Sequence, residues 1–297
     1  MRKSLDELIA KDEFISRHIG VDDFARDTML RSIGATDLEN FIERTVPASI
    51  RRDQLLSLGE PMLETDVLTQ LREIANKNIV RTSLIGMGYY NTITPPVIAR
   101  NVLENPAWYT SYTPYQPEIS QGRLEALLNF QTMITEITGF DIANASLLDE
   151  ATAAAEAMTI ALRSSKSESK VFAVDADTHP QIIAVLRTRA LPIGLTISVV
   201  SLSEMMSTTC FGALISWPGS SGSISSAELI KNISNAVHSQ GGLTIAVCDL
   251  LACILLTAPA TLGFDIAVGS AQRFGMPMGG GGPHAAFLAT SESHARA

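Results

Sequence analysis

Residues 244–249, TIAVCD, and residues 264–275, FDIAVGSAQRFG, decide the fold of this chain. Each segment contains an apolar run short enough to be one buried strand, and each run ends in polar side chains. Near-continuous apolar strands are typical of parallel sheets that are covered on both faces. Because ligands of such sheets bind beyond the carboxyl ends of the strands, Asp249 and Ser270 mark a candidate site.

Further apolar runs repeat this pattern earlier in the chain. They span residues 171–174, 196–200 and 213–216, and stretches of helical periodicity around residues 180–189 and 226–239 separate some of them. An alanine-rich helix is predicted at about residues 151–163, and a longer helix, capped by Ser120, precedes it and ends at Gly139. The alternation predicts an α/β domain with a mostly parallel sheet.

The first 80 residues have a different character. Their apolar side chains recur near helical spacing, Thr36 or Asp37 is predicted to cap one helix, and Thr65 and Asp66 are predicted to begin another. We therefore predict a helical amino-terminal arm over residues 1–80 and an α/β large domain over residues 81–297.

Composition excludes several classes of function. The 297 residues carry a net charge of -9, and no basic run is longer than Arg51-Arg52, so nucleic acid is a poor partner. The chain starts without an apolar signal segment, and charged residues, prolines or glycines break its later apolar stretches, so a membrane role is not predicted. Three cysteines without metal-ligand spacing predict reduced thiols, no metal and a cytoplasmic location, or the mitochondrial matrix in a eukaryote.

All five tyrosines lie between residues 83 and 120, interspersed with prolines and glycines. Proline restricts the backbone, and tyrosine presents an apolar ring with a polar tip. The pattern predicts a rigid, aromatic surface segment. Two readings stay open: the rings join the helical arm to the next domain, or they face a ligand.

The spacing of Asp249 and Gln272 has the layout of a pyridoxal phosphate (PLP) site. In such a site a strand-end aspartate pairs with the pyridinium nitrogen, and a lysine further along the chain forms a Schiff base with the aldehyde. Here Gln272 stands at the lysine position, and a carboxamide nitrogen is not basic enough to add to an aldehyde. Any covalent step therefore has to come from another polypeptide or from another part of this one. Taken alone, Asp249 is explained as well by a helix cap.

Other polar residues near the predicted strand ends are ambiguous. His179 follows the strand at 171–174, where an imidazole can stack on a flat pyridine ring or can simply bond its own backbone. The helix start after Ser146 offers amides to a phosphate, but Asp149 and Glu150 already place negative charge there. The glycines at 279–282 lack the lysine of a phosphate loop and predict a hairpin-like crossing.

Five segments carry a resemblance to a known family: residues 14–20, FISRHIG; 86–92, GMGYYNT; 112–123, YTPYQPEISQGR; 146–150, SLLDE; and 269–284. The chain resembles the glycine decarboxylase family, the P-proteins of the glycine cleavage system, along nearly its whole length. The resemblance implies a fold-type-I PLP-dependent transferase-like large domain after a helical arm. It also implies that the chain corresponds to the amino-terminal, lysine-free half and stops before the fold is complete.

The family reaction is the decarboxylation of glycine on PLP, with transfer of the aminomethyl group to the lipoyl group of H-protein. By resemblance, Asp249 and His179 occupy the ring-nitrogen and ring-stacking positions of a degenerate site, and Gln272 replaces the Schiff-base lysine. No catalytic residue is expected in this chain. PLP is expected on a lysine-bearing carboxy-terminal half or second P-protein subunit, which is the implied partner together with lipoylated H-protein and glycine.

Two interpretations of the chain follow. In the first, it completes a glycine decarboxylase site in the partner half, to which Tyr89, Tyr90, Asn91 and Tyr115 are expected to contribute. In the second, it is a catalytically dead scaffold or ligand-binding module.

Overall fold

The computed structural model describes residues 2–8, 13–52, 54, 56–109, 117–280 and 284–297. The chain forms two compact units, Met1–Thr82 and Ser83–Ala297. No helix in the described ranges is both long enough and apolar enough to cross a membrane.

The first unit is built from short helices. Asp22 and Asp37 each accept a hydrogen bond from a backbone N–H in the first turn of the helix that follows, at 2.7 and 2.8 Å, so the predicted Asp37 cap is confirmed. The predicted start at Thr65 and Asp66 is wrong, because the helix already begins at Glu64 and no side chain caps it. The helices of this unit are α1 (Leu5–Leu8), α2 (Glu13–His18), α3 (Asp23–Ser32), α4 (Leu38–Thr45) and α5 (Glu64–Ala75).

The second unit contains a seven-stranded sheet in the described part of the chain. In spatial order the strands are β1-β7-β6-β5-β4-β2-β3; β6, β5, β4, β2 and β3 are parallel, and β7 runs antiparallel to both of its neighbours. The strands are β1 (Ile142–Ala143), β2 (Val171–Asp175), β3 (Thr196–Val200), β4 (Gly212–Trp217), β5 (Leu243–Cys248), β6 (Ile266–Ser270) and β7 (Ala286–Thr290).

Helices cover both faces of this sheet. The helices of this unit are α6 (Pro96–Ile98), which continues into a π-helix at Ala99–Leu103, α7 (Pro106–Tyr109), α8 (Pro117–Thr138), α9 (Glu150–Ser164), α10 (Pro180–Ala190), α11 (Leu202–Met205), α12 (Ala227–Ser239) and α13 (Leu250–Leu255). Short 3-10 turns lie at Leu191–Ile193, Pro259–Leu262, Gln272–Phe274 and Glu292–His294. The predicted Ser120 cap is wrong: α8 begins at Pro117, where the missing N–H costs no helical bond. The predicted end at Gly139 is confirmed, because this residue has a φ of 78° directly after the last helical residue.

Strand side chains alternate between two apolar clusters, one on each face of the sheet. Ile245 and Val268 belong to the cluster that contains the alanine-rich face of α9, whereas Ala246 and Ala267 belong to the cluster that contains residues of α8 and α12. The small side chains of α9 let its backbone approach the sheet closely. The parallel strands are thereby buried on both faces, and their carboxyl ends all open toward one edge.

Candidate functional site

A cavity of about 610 Å³ lies at the carboxyl ends of the parallel strands. Its walls come from the end of β5, the turn after β6, the start of α9, the start of α10 and the segment around Tyr89. This is the position at which ligands bind in open α/β sheets. It brings together Asp249, Gln272, His179 and Tyr90, which are far apart in the sequence.

Asp249 has both of its carboxylate oxygens engaged. The N–H of Ala252 donates to Oδ1 at 2.9 Å, which makes Asp249 the cap of α13, and Nε of Arg273 donates to Oδ2 at 2.6 Å. The helix-cap reading of this residue is therefore seen directly, together with a charge-assisted bond to a cation. Each oxygen of the carboxylate thus accepts a hydrogen bond from a group of this chain.

Arg273 is the residue that the sequence reading missed. The 3-10 turn at Gln272–Phe274 carries its guanidinium back to the end of β5, and the guanidinium carbon lies 4.7 Å from the centre of the Tyr90 ring. Stacking on an aromatic face and a bond to a carboxylate together fix a planar guanidinium. In the sequence, Arg273 is recognisable only as an arginine next to Gln272. Its bonding partner Asp249 lies 24 residues earlier, so the pair has no local sequence signal.

Gln272 is buried, with 3% of its surface exposed, and its Nε2 donates to the sulfur of Met278 at 3.5 Å. Its backbone N–H donates to Oγ of Ser270 at 3.2 Å. None of the described residues that line the cavity is a lysine. In this part of the chain, the cavity offers no amine for an aldehyde.

His179 immediately precedes α10, in which Pro180 is the first residue. Its Nδ1 is buried and has no hydrogen-bond partner among the described residues. Burial lowers the pKa of this imidazole, although the Asp177 carboxylate opposes the shift. A neutral ring at the cavity wall follows from these surroundings.

The start of α9 is acidic. Asp149 caps the helix by accepting the N–H of Thr152 at 2.7 Å, and Glu150 follows as the first helical residue. Burial raises the pKa of Glu150 to about 7, and the negative charges of Asp249 and Asp149 add to the shift. This end of the cavity therefore repels further negative charge.

The tyrosine segment forms part of the cavity rim. Tyr90 lies under Arg273, and burial raises the pKa of its phenol. Tyr89 contacts the ring of His284 edge-on, with 5.8 Å between ring centres. Asn91 is exposed and does not line the cavity, and Tyr115 lies outside the described residues.

Three hydrogen bonds fix this rim. The side chain of Gln181 donates to the carbonyl of Met87 at 2.7 Å, Thr94 donates to the carbonyl of Gly275 at 2.5 Å, and Thr92 donates to the carbonyl of Met276. Gly275 has a φ of 118°, and a Cβ there would lie 2.8 Å from the carbonyl oxygen of Ile93. Only glycine allows the rim to pass this close to the turn after β6.

Comparison with known proteins decides the family. The model of the family described as "Glycine cleavage system P-protein" matches residues 16–297. The chain belongs to this family. It is 54% identical over 286 residues to glycine dehydrogenase (decarboxylating) of Gluconobacter oxydans, an alignment that covers 96% of the chain and 30% of the relative. The same enzyme of Photobacterium profundum is 52% identical over 292 residues, covering 98% of the chain and 30% of the relative.

A solved P-protein structure supports the same assignment. A crystal structure of glycine decarboxylase (P-protein) of the glycine cleavage system, in inhibitor-bound form, superposes with a TM-score of 0.81 and 34% identity. The superposition covers 93% of this chain and 63% of the chain in the crystal structure. The predicted fold-type-I PLP-dependent transferase-like α/β domain with a mostly parallel sheet is confirmed. The chain spans about 30% of the length of these two curated relatives.

Membership of the P-protein family implies PLP, but the cavity of this chain does not fit that cofactor. Gln272, which is expected at the lysine position, carries a carboxamide that donates to Met278, and Asp249, which is expected at the ring nitrogen, pairs with Arg273. The helix start that would receive the phosphate carries Asp149 and Glu150. Three separate parts of the cofactor thus lack a suitable partner among the described residues of this cavity.

Proposed function

We propose that this chain is the amino-terminal, non-catalytic part of glycine dehydrogenase (decarboxylating). In this proposal PLP is held by a lysine-bearing half or second P-protein subunit, glycine is the substrate, and lipoylated H-protein receives the aminomethyl group. The observation that carries the proposal is a P-protein fold whose cavity, in its described residues, lacks the amine that PLP chemistry requires. Asp249 and His179 then belong to a degenerate site that stabilises the fold instead of holding a cofactor.

The chain's own residues have a structural part in this proposal. The Asp249–Arg273 pair ties the turn after β6 to the end of β5, and the stacking of Arg273 on Tyr90 ties both to the rim. The rim is thereby presented as a rigid surface, in keeping with a contribution of Tyr89, Tyr90, Asn91 and Tyr115 to the partner's active site. Sites on rigid supports are positioned more accurately than sites on loops without tertiary contacts.

Mixing the chain with the lysine-bearing half is expected to produce glycine-dependent release of carbon dioxide. The chain alone is expected to give none above background, because no described group in its cavity can capture an aldehyde. The measurement is release of labelled carbon dioxide from carboxyl-labelled glycine with lipoylated H-protein present. If the lysine-bearing half works equally well alone, the chain is a scaffold or ligand-binding module, which is the competing function.

Replacing Tyr89 and Tyr90 together by phenylalanine is expected to lower turnover of the assembled enzyme by about tenfold or more, since a positioned phenol contributes at least this much when it bonds a reacting group. Phenylalanine keeps the ring under Arg273, so the melting temperature should change little. Tyr109→Phe, in the same stretch but outside the proposed set, serves as the control. Wild-type turnover in the double variant would refute the contribution of these hydroxyls.

A further inference from the structure

We propose that Arg273 and the acidic start of α9 exclude PLP from this cavity independently of the missing lysine. Restoring the amine at position 272 would then not restore cofactor binding. The inference concerns the isolated chain and does not depend on the proposed role in glycine decarboxylation. It rests on the partners of Asp249 and on the charges at the start of α9.

The first part of the argument is the internal cation. A pyridinium N–H at Asp249 would compete with donors that are already in place, since Oδ2 accepts from Arg273 at 2.6 Å and Oδ1 accepts from Ala252 at 2.9 Å. The positive charge of the pyridinium would also lie close to that of the guanidinium. The guanidinium is additionally held on the ring of Tyr90. PLP would have to compete with this intramolecular ion pair. Because Asp249 and Arg273 are already held in place, their pairing costs little further conformational entropy.

The second part is the sign of the charge at the helix start. The amino end of a helix attracts phosphate through its free N–H groups and its dipole. At α9, the carboxylate of Asp149 already accepts one of these groups, and the desolvated carboxyl of Glu150 lies next to it. A phosphate dianion placed here would be repelled by the carboxylate of Asp149, and the ionised fraction of Glu150, whose pKa is about 7, adds to this repulsion.

The third part concerns an amine introduced at position 272. Imine formation requires a neutral amine, whose nitrogen adds to the aldehyde carbon while water leaves. Asp249 and Glu150 both line the cavity that contains Gln272. The carboxylates favour the protonated ammonium, whereas burial of position 272 and the guanidinium of Arg273 favour the neutral amine, so the exclusion of PLP rests on the first two parts.

The test compares four versions of the 297-residue chain, each incubated with PLP. They are the wild-type chain, Gln272→Lys, Gln272→Lys with Arg273→Gln, and these two changes combined with Asp149→Asn and Glu150→Gln. Asparagine retains the cap of α9, and glutamine retains the size of Glu150, so charge is the main change. Imine formation is followed by visible absorbance, then fixed by borohydride and located by peptide mapping, which separates position 272 from surface lysines.

We expect the PLP adduct at position 272 to be at least about tenfold more abundant in the fourfold variant than in Gln272→Lys alone. Near-stoichiometric modification of Gln272→Lys alone would overturn the proposal. So would a fourfold variant that melts like the wild type and still takes up no PLP. Should the fourfold variant fail to fold, Arg273→Gln with Glu150→Gln in the Gln272→Lys background gives the same comparison with less disruption. Because turnover is not measured, these outcomes are separate from those of the mixing experiment.

Discussion

Gly269→Ala is expected to lower the free energy of unfolding by about 3 kcal/mol, because overpacking against a fixed backbone is among the more destabilising changes in a core. Gly269 lies in β6, between β5 and β7. A Cβ at this position would lie 2.2 Å from the carbonyl oxygen of Cys248 and 2.8 Å from the ring of Phe287. Neither neighbour can withdraw without moving a buried strand.

The measurement is the melting temperature followed by circular dichroism, which we expect to fall by about 10 °C for a change of this size. Gly122→Ala is the matched control. Gly122 lies inside α8, and apart from its own stretch of helix no described atom lies within 4 Å of its ideal Cβ. Alanine there should therefore stabilise the chain by roughly 0.5–1 kcal/mol. Equal melting of Gly269→Ala and the wild type would mean that β5 and β6 are further apart than described.

Glu150→Gln is expected to raise the free energy of unfolding by about 2 kcal/mol at pH 8 and to leave it nearly unchanged at pH 4.5. The folded protein raises the pKa of this carboxyl from 4.5 to about 7. A raised acid pKa means that the folded state holds the proton longer, so stability is full below pH 4.5, declines as the pH rises toward 7, and stays low above it. The full shift corresponds to roughly 3 kcal/mol, and water reaching the cavity reduces this value.

The measurement is the difference in unfolding free energy between variant and wild type at several pH values, so that other titrating groups cancel. Asp175, whose pKa burial also raises, is one such group. Glu156→Gln is the control, since Glu156 lies in the same helix and pairs with Arg189 at 2.7 Å at a partly exposed position. It should lower stability by about 0.5 kcal/mol or less, with little change between about pH 5 and 8. A Glu150→Gln effect that is equal at low and high pH would contradict the assigned pKa.

The strands and most helices of the α/β domain could be read from the sequence because their signals are local. Apolar runs at 171–174 and 244–247 became β2 and β5 with one or two added residues at their ends, and Asp37 caps its helix through a bond three residues away. The two-residue strand β1 was not predicted, since a pair of residues has no periodicity. Its place at the sheet edge is set by pairing with β7, which lies far along the chain.

The cavity was harder to predict, because its composition depends on contacts between distant residues. Positions 179, 249 and 272 were expected together from the layout of a PLP site and from the family resemblance, and the fold does bring them to one cavity. The competition of Arg273 for Asp249 could not be read in the same way. A guanidinium on a flexible stem can reach many partners, and only the 3-10 turn at Gln272–Phe274 selects this one.

The bonds from Thr92 and Thr94 to the turn at Gly275 and Met276 have a consequence for the order of folding. They join residues that are 184 and 181 positions apart, so the chain must close a very long loop before either bond can form. The sheet between them is built from closer pairs of strands, such as β6 and β7. During refolding, the aromatic rim should therefore be the last part of this unit to assemble, after the strands that it covers.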